Sequence, residues 1–598
     1  MSRRRASRPA PSGPVSRASP PASRASRASR TSGLVVAGVA ATLVAIVAWV
    51  FRPLPGSFFA LDDLVMFQQA TGVRPWPATA WRWLSGVAWF RIVTPLWGES
   101  PAPYHLASLV LHVVNAVLLV RLARRWGASA PAAFLAAGLF AASRLHFPAL
   151  FAATSIGELL ALTFALLALL ALAPGRRALL AAVIFALALL SKESVLLVPA
   201  AILALPAAGP NLRERARTAA PLLAVGVALG AALLASGLVS GRLAGPAYAL
   251  GGLAAISLSL ARLAGWSLDL ARPIPDLHAG AAPLELTLAT LAVLALTLLA
   301  ARWRSAPLVR TGLLWWLLAV LPVLPLAGHL YLHYLYTPLA GLALACAGAF
   351  DALASRGRAR GRAGTAPRGA WAIAGAIVLA HAALSAALVT QRVTLRMGAA
   401  DWPLDPVLRK SVIAQRAIAD VRRALGGRRT NVAILLPAGT TTTVDLGSGE
   451  AVANRTTSRN ELEEVLDDGR SLSAFVPNAD TVEFVHGYVP GHARFDFFAG
   501  EASGDVADLG PPPKADALMA INMGAIGRFG PALDWLDRAL ADRPGTPVLL
   551  YARAIIEERR GDRAGALGTL AELERVAPAD SFTALARTVL APPAAAAR

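Results

Sequence analysis

The sequence predicts a mainly α, polytopic helical membrane protein followed by a small extracytoplasmic α/β module and a set of helical hairpins. Three observations predict it. Of 598 residues, 56% are hydrophobic and 16% charged, with a mean hydropathy of +0.54; that profile belongs to a membrane domain with an attached soluble part. Up to about residue 390, apolar runs alternate with arginine-rich turns. Beyond 510, a set of residues recurs at a constant offset of 34.

The charge is unevenly placed. Residues 1–390 hold 33 Lys+Arg against 10 Asp+Glu, a net of +23, and residues 391–598 hold 24 against 26, a net of −2. Basicity therefore belongs to the membrane half, where it orients helices. A nucleic-acid partner would ask for a basic soluble part, and this one is nearly neutral. The single cysteine, Cys346, excludes an intramolecular disulfide and any cysteine metal cluster. The Ala, Arg, Gly and Pro excess is that of a GC-rich bacterial genome, so the predicted place is a bacterial inner membrane.

Residues 1–33 contain eight arginines and no acid. Such a segment cannot build a core and reads as a disordered basic cytoplasmic tail. The apolar run 34–51 has no clear small-residue cleavage site and reads as an uncleaved first helix. Further apolar runs lie near 104–121, 129–145, 149–172, 178–191, 194–209, 219–240, 283–301, 311–327, 330–350 and 370–390, making about 11 transmembrane helices in a domain spanning 34–390. Arginines at 121–125, 176–177, 213–217, 302–310 and 356–368 fall at every second turn, as a cytoplasmic face requires. Segment 251–270 carries Arg262 and Asp269 and reads as interfacial or re-entrant. The C-terminal half is then extracytoplasmic. The same outer face carries loop 52–103 with Asp62-Asp63, Arg144-Leu145-His146, Lys192-Glu193 and the stretch from His329 to Tyr336. Loop 52–103 is rich in tryptophan (Trp76, Trp81, Trp83, Trp89, Trp97), a density that favours the headgroup level.

After 390 the pattern changes. A helix is expected over 406–425 and strands over Asn431–Pro437 and Thr481–Val485, giving an α/β module over 391–510 with a linker at Pro511–Pro513. In the last segment, 511–590, Ala520, Gly527, Ala532, Leu533, Leu536 and Pro544 recur as Ala554, Gly561, Ala566, Leu567, Leu570 and Pro578. This is the period and small-residue pattern of tetratricopeptide helix pairs, a surface for a protein partner. A generic pair of helical hairpins is the plainer alternative.

An ionisable group at the membrane edge is a functional-site hypothesis by default. Asp62 and Asp63 stand together about ten residues past the first helix. One carboxylate can take a proton from an attacking hydroxyl while the other orients it or helps hold a divalent metal ion. The structural alternative is a helix cap and a solvated first-turn acid. Lys192 is the only lysine before residue 390; it reads either as a phosphate ligand or as an ion-pair partner of Glu193 or Glu158 that permits burial. Arg91 reads as a phosphate ligand or a headgroup anchor. His105 and His112 share one helix face and read as packing or interhelical hydrogen-bond groups. His146 is a candidate lining residue, with Glu193 and His333. Glu158 suits the helix dipole at a span's start. Tyr334 and Tyr336 fit an aromatic belt. No P-loop, zinc HExxH or dinucleotide fingerprint is present, and the sequon Asn454-Arg455-Thr456 and the turn Gly447-Ser448-Gly449 carry no further signal.

In chain order the sequence shows Asp62-Asp63, Phe90-Arg91, Thr94-Pro95-Leu96-Trp97-Gly98, Pro103-Tyr104-His105-Leu106, Leu111-His112-Val113-Val114-Asn115-Ala116, Gly138-Leu139-Phe140-Ala141, His146-Phe147-Pro148, Ser155-Ile156-Gly157-Glu158, Ser191-Lys192-Glu193-Ser194 and His333-Tyr334-Leu335-Tyr336. Over about 34–350 this order resembles the polytopic GT-C glycosyltransferases, nearest to the protein O-mannosyltransferase-like group with C-terminal tetratricopeptide repeats. It departs from that group at Ile92 (often proline), at Phe147 between His146 and Pro148, and at His333 (often arginine).

The resemblance implies transfer of a sugar from a polyprenyl-phosphate carrier to an acceptor hydroxyl of protein or glycan on the extracytoplasmic face. It implies Asp62 as the catalytic acidic residue, acting as general base with inversion. Lys192 and Arg91 then face the donor phosphate. Two alternatives stand beside this: a membrane scaffold that presents its repeats to envelope proteins, and a lipid-linked glycan transporter. Transporters tend to show internally repeated halves, and none is visible here.

Overall fold

The computed structural model describes residues 37–172, 176–239, 249–277, 291, 294–295, 306–326, 329–359, 367–397, 402–435, 444–445, 451–452, 461–485, 488, 495–500, 506–510, 512–525 and 527–591. The basic tail, nearly all of the run 283–301, Arg302, Arg304, most of the arginine loop before Arg368, Leu436-Pro437, Gly447–Gly449, the sequon and Pro511 lie outside the described residues.

Among the described residues, five helices are long and apolar enough to cross a membrane: Pro101–Arg125, Ala153–Ala171, Leu212–Val239, Leu332–Ser355 and Arg368–Thr394. A bent pair, Ala130–Ala142 and Arg144–Phe151 at 46°, makes a sixth if it is one span. Ala37–Val50, Arg177–Ser191, Glu193–Ala204, Leu253–Leu268 and Pro307–Val323 are apolar but shorter. The described residues do not confirm the expected eleven spans, and the run 283–301 lies almost wholly outside them. The helix stops at Ser143, whose ψ is 117°. It stops again at Lys192, which is extended at φ −165° and ψ 146° and is followed by 3-10 turns. Both breaks fall at the ends of separate apolar runs, 129–145 and 178–191.

These helices share one apolar core. Small residues let backbones meet: a Cβ at Gly312 would meet the Gly341 carbonyl and lie 2.5 Å from the Ala345 amide, the close approach that membrane helix packing favours. The arginine-rich turns gather at one end of the bundle. Arg125 donates to the Leu170 and Leu172 carbonyls, Arg310 to the Ala204 carbonyl at 2.9 Å, and Arg215 to the Leu203 carbonyl at 3.3 Å. Glu158 sits near the other end of the helix that leads to Leu170.

The soluble part is joined to the last membrane helix by a buried ion pair. Asp405 caps the helix Pro406–Leu425 by accepting from the Val407 and Leu408 amides, each at 2.9 Å. Its second oxygen accepts from Arg392 Nε at 2.7 Å, and that guanidinium lies over the Phe147 ring at 4.7 Å. The sheet runs in the order Ala479–Val485, Thr430–Leu435, Phe495–Gly500, Val506–Gly510, with the first three parallel and the last antiparallel.

Helices Lys514–Ala525, Phe529–Asp542, Pro547–Arg560, Arg563–Val576 and Ser581–Leu590 follow. The small residues 34 apart occupy like places, whereas Leu533 is half-buried and Leu567 exposed. Ala520 and Ala554 are fully buried, as are Ala532 and Ala566. Gly527 and Gly561 both end a helix with positive φ, 79° and 89°, where a Cβ is disfavoured.

The tryptophan-rich loop departs most from expectation. Phe59, Leu64, Phe67, Phe90 and Tyr104 form a single core with Ile413, Ile418, Val432 and Phe475 of the soluble module. Trp76, Trp89 and Trp97 pack against that core. The loop is therefore the seat of the module and these three rings face it, while Trp81 packs against the apolar core of the long helices and Trp83 is exposed.

Candidate functional site

Asp62 and Asp63 open the helix Leu61–Ala70. Adjacent helical residues point about 100° apart, and here the two carboxylates have opposite environments. Asp62 is exposed, and Asp63 is fully buried. One Asp63 oxygen accepts from the Ala60 amide at 2.9 Å, and the other from the Thr154 amide at 2.7 Å. Burial pushes the Asp63 carboxyl up to about 6, against the pull of the hydrogen bonds from Ala60 and Thr154. Asp63 thus ties the helix to its own start and to the membrane domain.

Two cations and two histidines gather beside Glu158 and Glu193, and the Asp62 charge reaches one of them, His329. Lys192 Nζ is 2.9 Å from Glu158 Oε1, and Ser194 Oγ donates to Glu158 Oε2 at 2.8 Å. The Glu158 side chain is fully buried and that of Lys192 8% exposed, so neither charge is left in a low dielectric without a partner. The ammonium also lies 5.5 Å from the Tyr334 ring centroid. Arg82 grips Glu193 with two nitrogens, Nε at 3.0 Å. It does so from a left-handed backbone conformation, φ 52° and ψ 34°, which is uncommon for a residue with a Cβ and concentrates at functional sites.

His329 faces this group. Burial holds its imidazole below the ordinary range, the Arg82 and Lys192 charges press the same way, and Asp62 opposes them. Lys192, Arg82 and His329 are also the charges that His333 faces. The His329 ring lies 4.6 Å from Tyr331, and the His333 ring 4.5 Å from Tyr334.

The close fit of the turns depends on Gly157. A Cβ there would lie 3.0 Å from Ser85 Oγ and 3.1 Å from the Ser191 carbonyl. Ser85 Oγ donates to that same carbonyl at 2.6 Å. Glycine therefore lets the Glu158 helix approach the turn that carries Lys192.

The sequence-predicted residues divide into three groups. Lys192, Glu158, Glu193 and His333 come together with Arg82, and Asp62 is linked to them only through the charge it exerts on His329. His146 and Tyr336 form a second, inner cluster with His112: Tyr336 Oη is 2.9 Å from His112 Nδ1 and accepts from Asn115 Nδ2 at 3.1 Å, and His146 packs 4.7 Å from the Tyr336 ring. Arg91 stands apart. It is exposed, its guanidinium lies 5.2 Å over Trp76, and no hydrogen bond or ion pair joins it to Lys192 or Glu193 among the described residues.

Arg82 and His329 were not among the residues singled out. Arg82 is one more arginine in a tryptophan-rich loop, and only its partner Glu193, 111 positions away, reveals it. The bonds to Ala60 and Thr154 occupy both Asp63 oxygens. Among the described residues, no group of three or more His, Cys, Asp or Glu side chains is placed to hold a metal ion. The residues at hand do not form a divalent-metal site, and no step is derived through one.

The family model of dolichyl-phosphate-mannose-protein mannosyltransferases matches residues 85–237, about a quarter of the chain. The match supports the GT-C superfamily. It implies a membrane glycosyltransferase of the GT-C type that uses a lipid-linked sugar donor, and the apolar helices fit an integral membrane protein. The matched range holds Arg91, His146, Glu158, Lys192 and Glu193, and leaves Asp62, Asp63, Arg82 and His333 outside it. No curated protein matches the chain.

Proposed function

We propose that this chain transfers a glycosyl unit from a polyprenyl-phosphate-linked donor to an acceptor hydroxyl on the extracytoplasmic face of a bacterial inner membrane, with inversion. The observation that carries this reading is the exposed carboxylate of Asp62, whose charge reaches His329, the histidine that also feels the ion-paired Arg82 and Lys192, with Lys192 inside the matched range. Asp62 accepts the acceptor's proton as its oxygen attacks C1. The C1–O bond to the lipid phosphate breaks, and its electron pair leaves on the phosphate oxygen. Lys192, with Arg82, stabilises that developing charge, an electrostatic effect of several kcal/mol when donors are pre-positioned. Glu158 and Glu193 hold the two cations in place before the donor arrives. Arg91 remains a donor contact at the rim.

The arginine-rich turns at one end of the bundle, with the candidate site at the other, favour a cytoplasmic N-terminus and an outer-face site. The repeated hairpins fit a tetratricopeptide-like surface for a protein or glycan-bearing partner. The matched family and the base-cation pairing favour an enzyme over the scaffold and transporter readings.

The test is Asp62→Asn in washed membranes supplied with polyprenyl-phosphate-mannose, following sugar transfer to endogenous acceptor. General-base loss lowers the rate by roughly 10²–10⁴-fold. Wild-type transfer by a folded, inserted Asp62→Asn protein would sink the reading.

A further inference from the structure

The helix that carries Asp62 is held by two bodies. On the membrane side, Asp63 accepts the Thr154 amide. On the soluble side, Phe67 packs 5.0 Å from Phe475, and Phe475 also meets Phe58 at 5.9 Å and Phe59 at 6.2 Å. Gln68 Nε2 donates to Ser471 Oγ at 3.0 Å in a buried contact, and Arg74 pairs with Asp467 at 3.3 Å.

Asp63, Leu64, Phe67 and Gln68 form one buried stripe. At about 100° per residue, Asp62 lies roughly opposite the middle of that stripe. A roll of about 10° moves a carboxylate about 5–6 Å from the helix axis by about 1 Å, and the grip on Phe67 and Gln68 opposes the roll.

The gripping segment, Arg470–Phe475, is itself rigidly presented. Asp467, Asp468 and Gly469 are three consecutive left-handed residues with φ of 49°, 54° and 91°. A Cβ at Gly469 would lie 2.9 Å from the Val482 carbonyl of the sheet. Phe475 is 1% exposed, although it lies some 400 positions from the helix it holds.

We infer that Phe475 and Ser471 of the soluble module are positioning residues for Asp62, so that the module completes the catalytic site by fixing the roll of the helix Leu61–Ala70. This rests on the proposed role of Asp62. It assigns the module a part in the chemistry, beyond display of a partner surface.

The experiment measures kcat and donor KM with polyprenyl-phosphate-mannose for the full-length purified chain and for Phe67→Ala, Phe475→Ala, their double variant, Phe475→Leu, Asp62→Asn and Leu549→Ala. Leu549 is fully buried in the hairpins and controls for destabilisation of the soluble part. A displacement near 1 Å is worth up to about 100-fold in rate. Phe67→Ala and Phe475→Ala should each lower kcat about ten- to a hundred-fold with donor KM within about two-fold. The double variant should fall no further than the worse single one, because both act through one contact. Phe475→Leu should recover most of the rate, and Phe67→Ala decides the matter if Phe475→Ala does not fold. Leu549→Ala should leave kcat unchanged.

Wild-type kcat in folded Phe475→Ala, multiplicative losses in the double variant, or an equal loss in Leu549→Ala would overturn the inference while Asp62→Asn still abolishes transfer. If Asp62→Asn transfers at the wild-type rate, the proposed function falls first and this inference falls with it.

Discussion

Asp63→Asn isolates the electrostatics of the anchor from the chemistry of its neighbour. The Asp63 carboxyl stands at about 6 against an ordinary 3.8, a rise of about two units, and each unit is worth about 1.4 kcal/mol. Because the folded value is raised, the stabilisation is fully present below the unfolded value. It is lost as pH rises through the folded one. The wild-type chain should therefore lose about 2–2.5 kcal/mol between pH 4 and 7 from this group. Asparagine carries no charge and removes that slope. It keeps one acceptor oxygen for the Ala60 or Thr154 amide and turns an NH2 towards the other, at a cost of about 1–3 kcal/mol.

The two effects nearly offset each other above pH 7, where Asp63→Asn should come close to wild-type stability. At pH 4 the variant should be the less stable by the full hydrogen-bond cost. Apparent melting temperature in detergent, followed by tryptophan fluorescence from pH 4 to 8, reads this as wild type minus variant, which cancels the titration of other groups. A difference that stays flat across the range would refute the reasoning, since it would mean that Asp63 carries no burial penalty.

Other expectations follow from the same geometry. Glu158→Gln leaves Lys192 buried without its counter-charge and should destabilise by about 3–5 kcal/mol, whereas Lys192→Met with Glu158→Leu should restore stability yet lower transfer at least ten-fold; full transfer by that double variant would reduce Lys192 to an ion-pair partner. Gly312→Ala forces apart the helices Pro307–Val320 and Tyr336–Ala359 and should cost about 1–3 kcal/mol in a melting assay. Gly375→Ala, with nothing within 4 Å of the added carbon, should be neutral.

What the sequence reveals and what it hides divide along physical lines. Apolar runs announce helices because burial in lipid is a property of composition. Where a helix breaks is a property of single residues such as Ser143 and Lys192, and both lie at the ends of apolar runs that the sequence shows. The soluble strands were placed to within a few residues, because Asn431–Leu435 and Thr481–Val485 are short apolar runs between turn signals. The 34-residue offset was legible because repeated packing demands repeated small residues at Ala520 and Ala554. Lys192 stood out by rarity. Its choice of Glu158 over the adjacent Glu193 was not readable, because the extended backbone at Lys192 aims the two side chains apart.

Arg82 and the grip of Phe475 are the instructive omissions. Both depend on contacts between segments far apart in sequence, Arg82 with Glu193 and Phe67 with Phe475, and neither leaves a periodic trace. The phenylalanines at 58, 59 and 67 are as dense as an interface belt, and composition alone cannot distinguish rings that meet lipid headgroups from rings that meet a domain folded some 400 residues later. That distinction carries functional weight. If these rings merely touched lipid, Asp62 would ride on a loosely held juxtamembrane helix. Packed against Phe475, the helix has a defined roll, and an exposed carboxylate on a helix of defined roll can act as a base at a defined point. The soluble module thus belongs to the same physical unit as the acid pair, and variants that loosen it should be read first as changes in the geometry of Asp62.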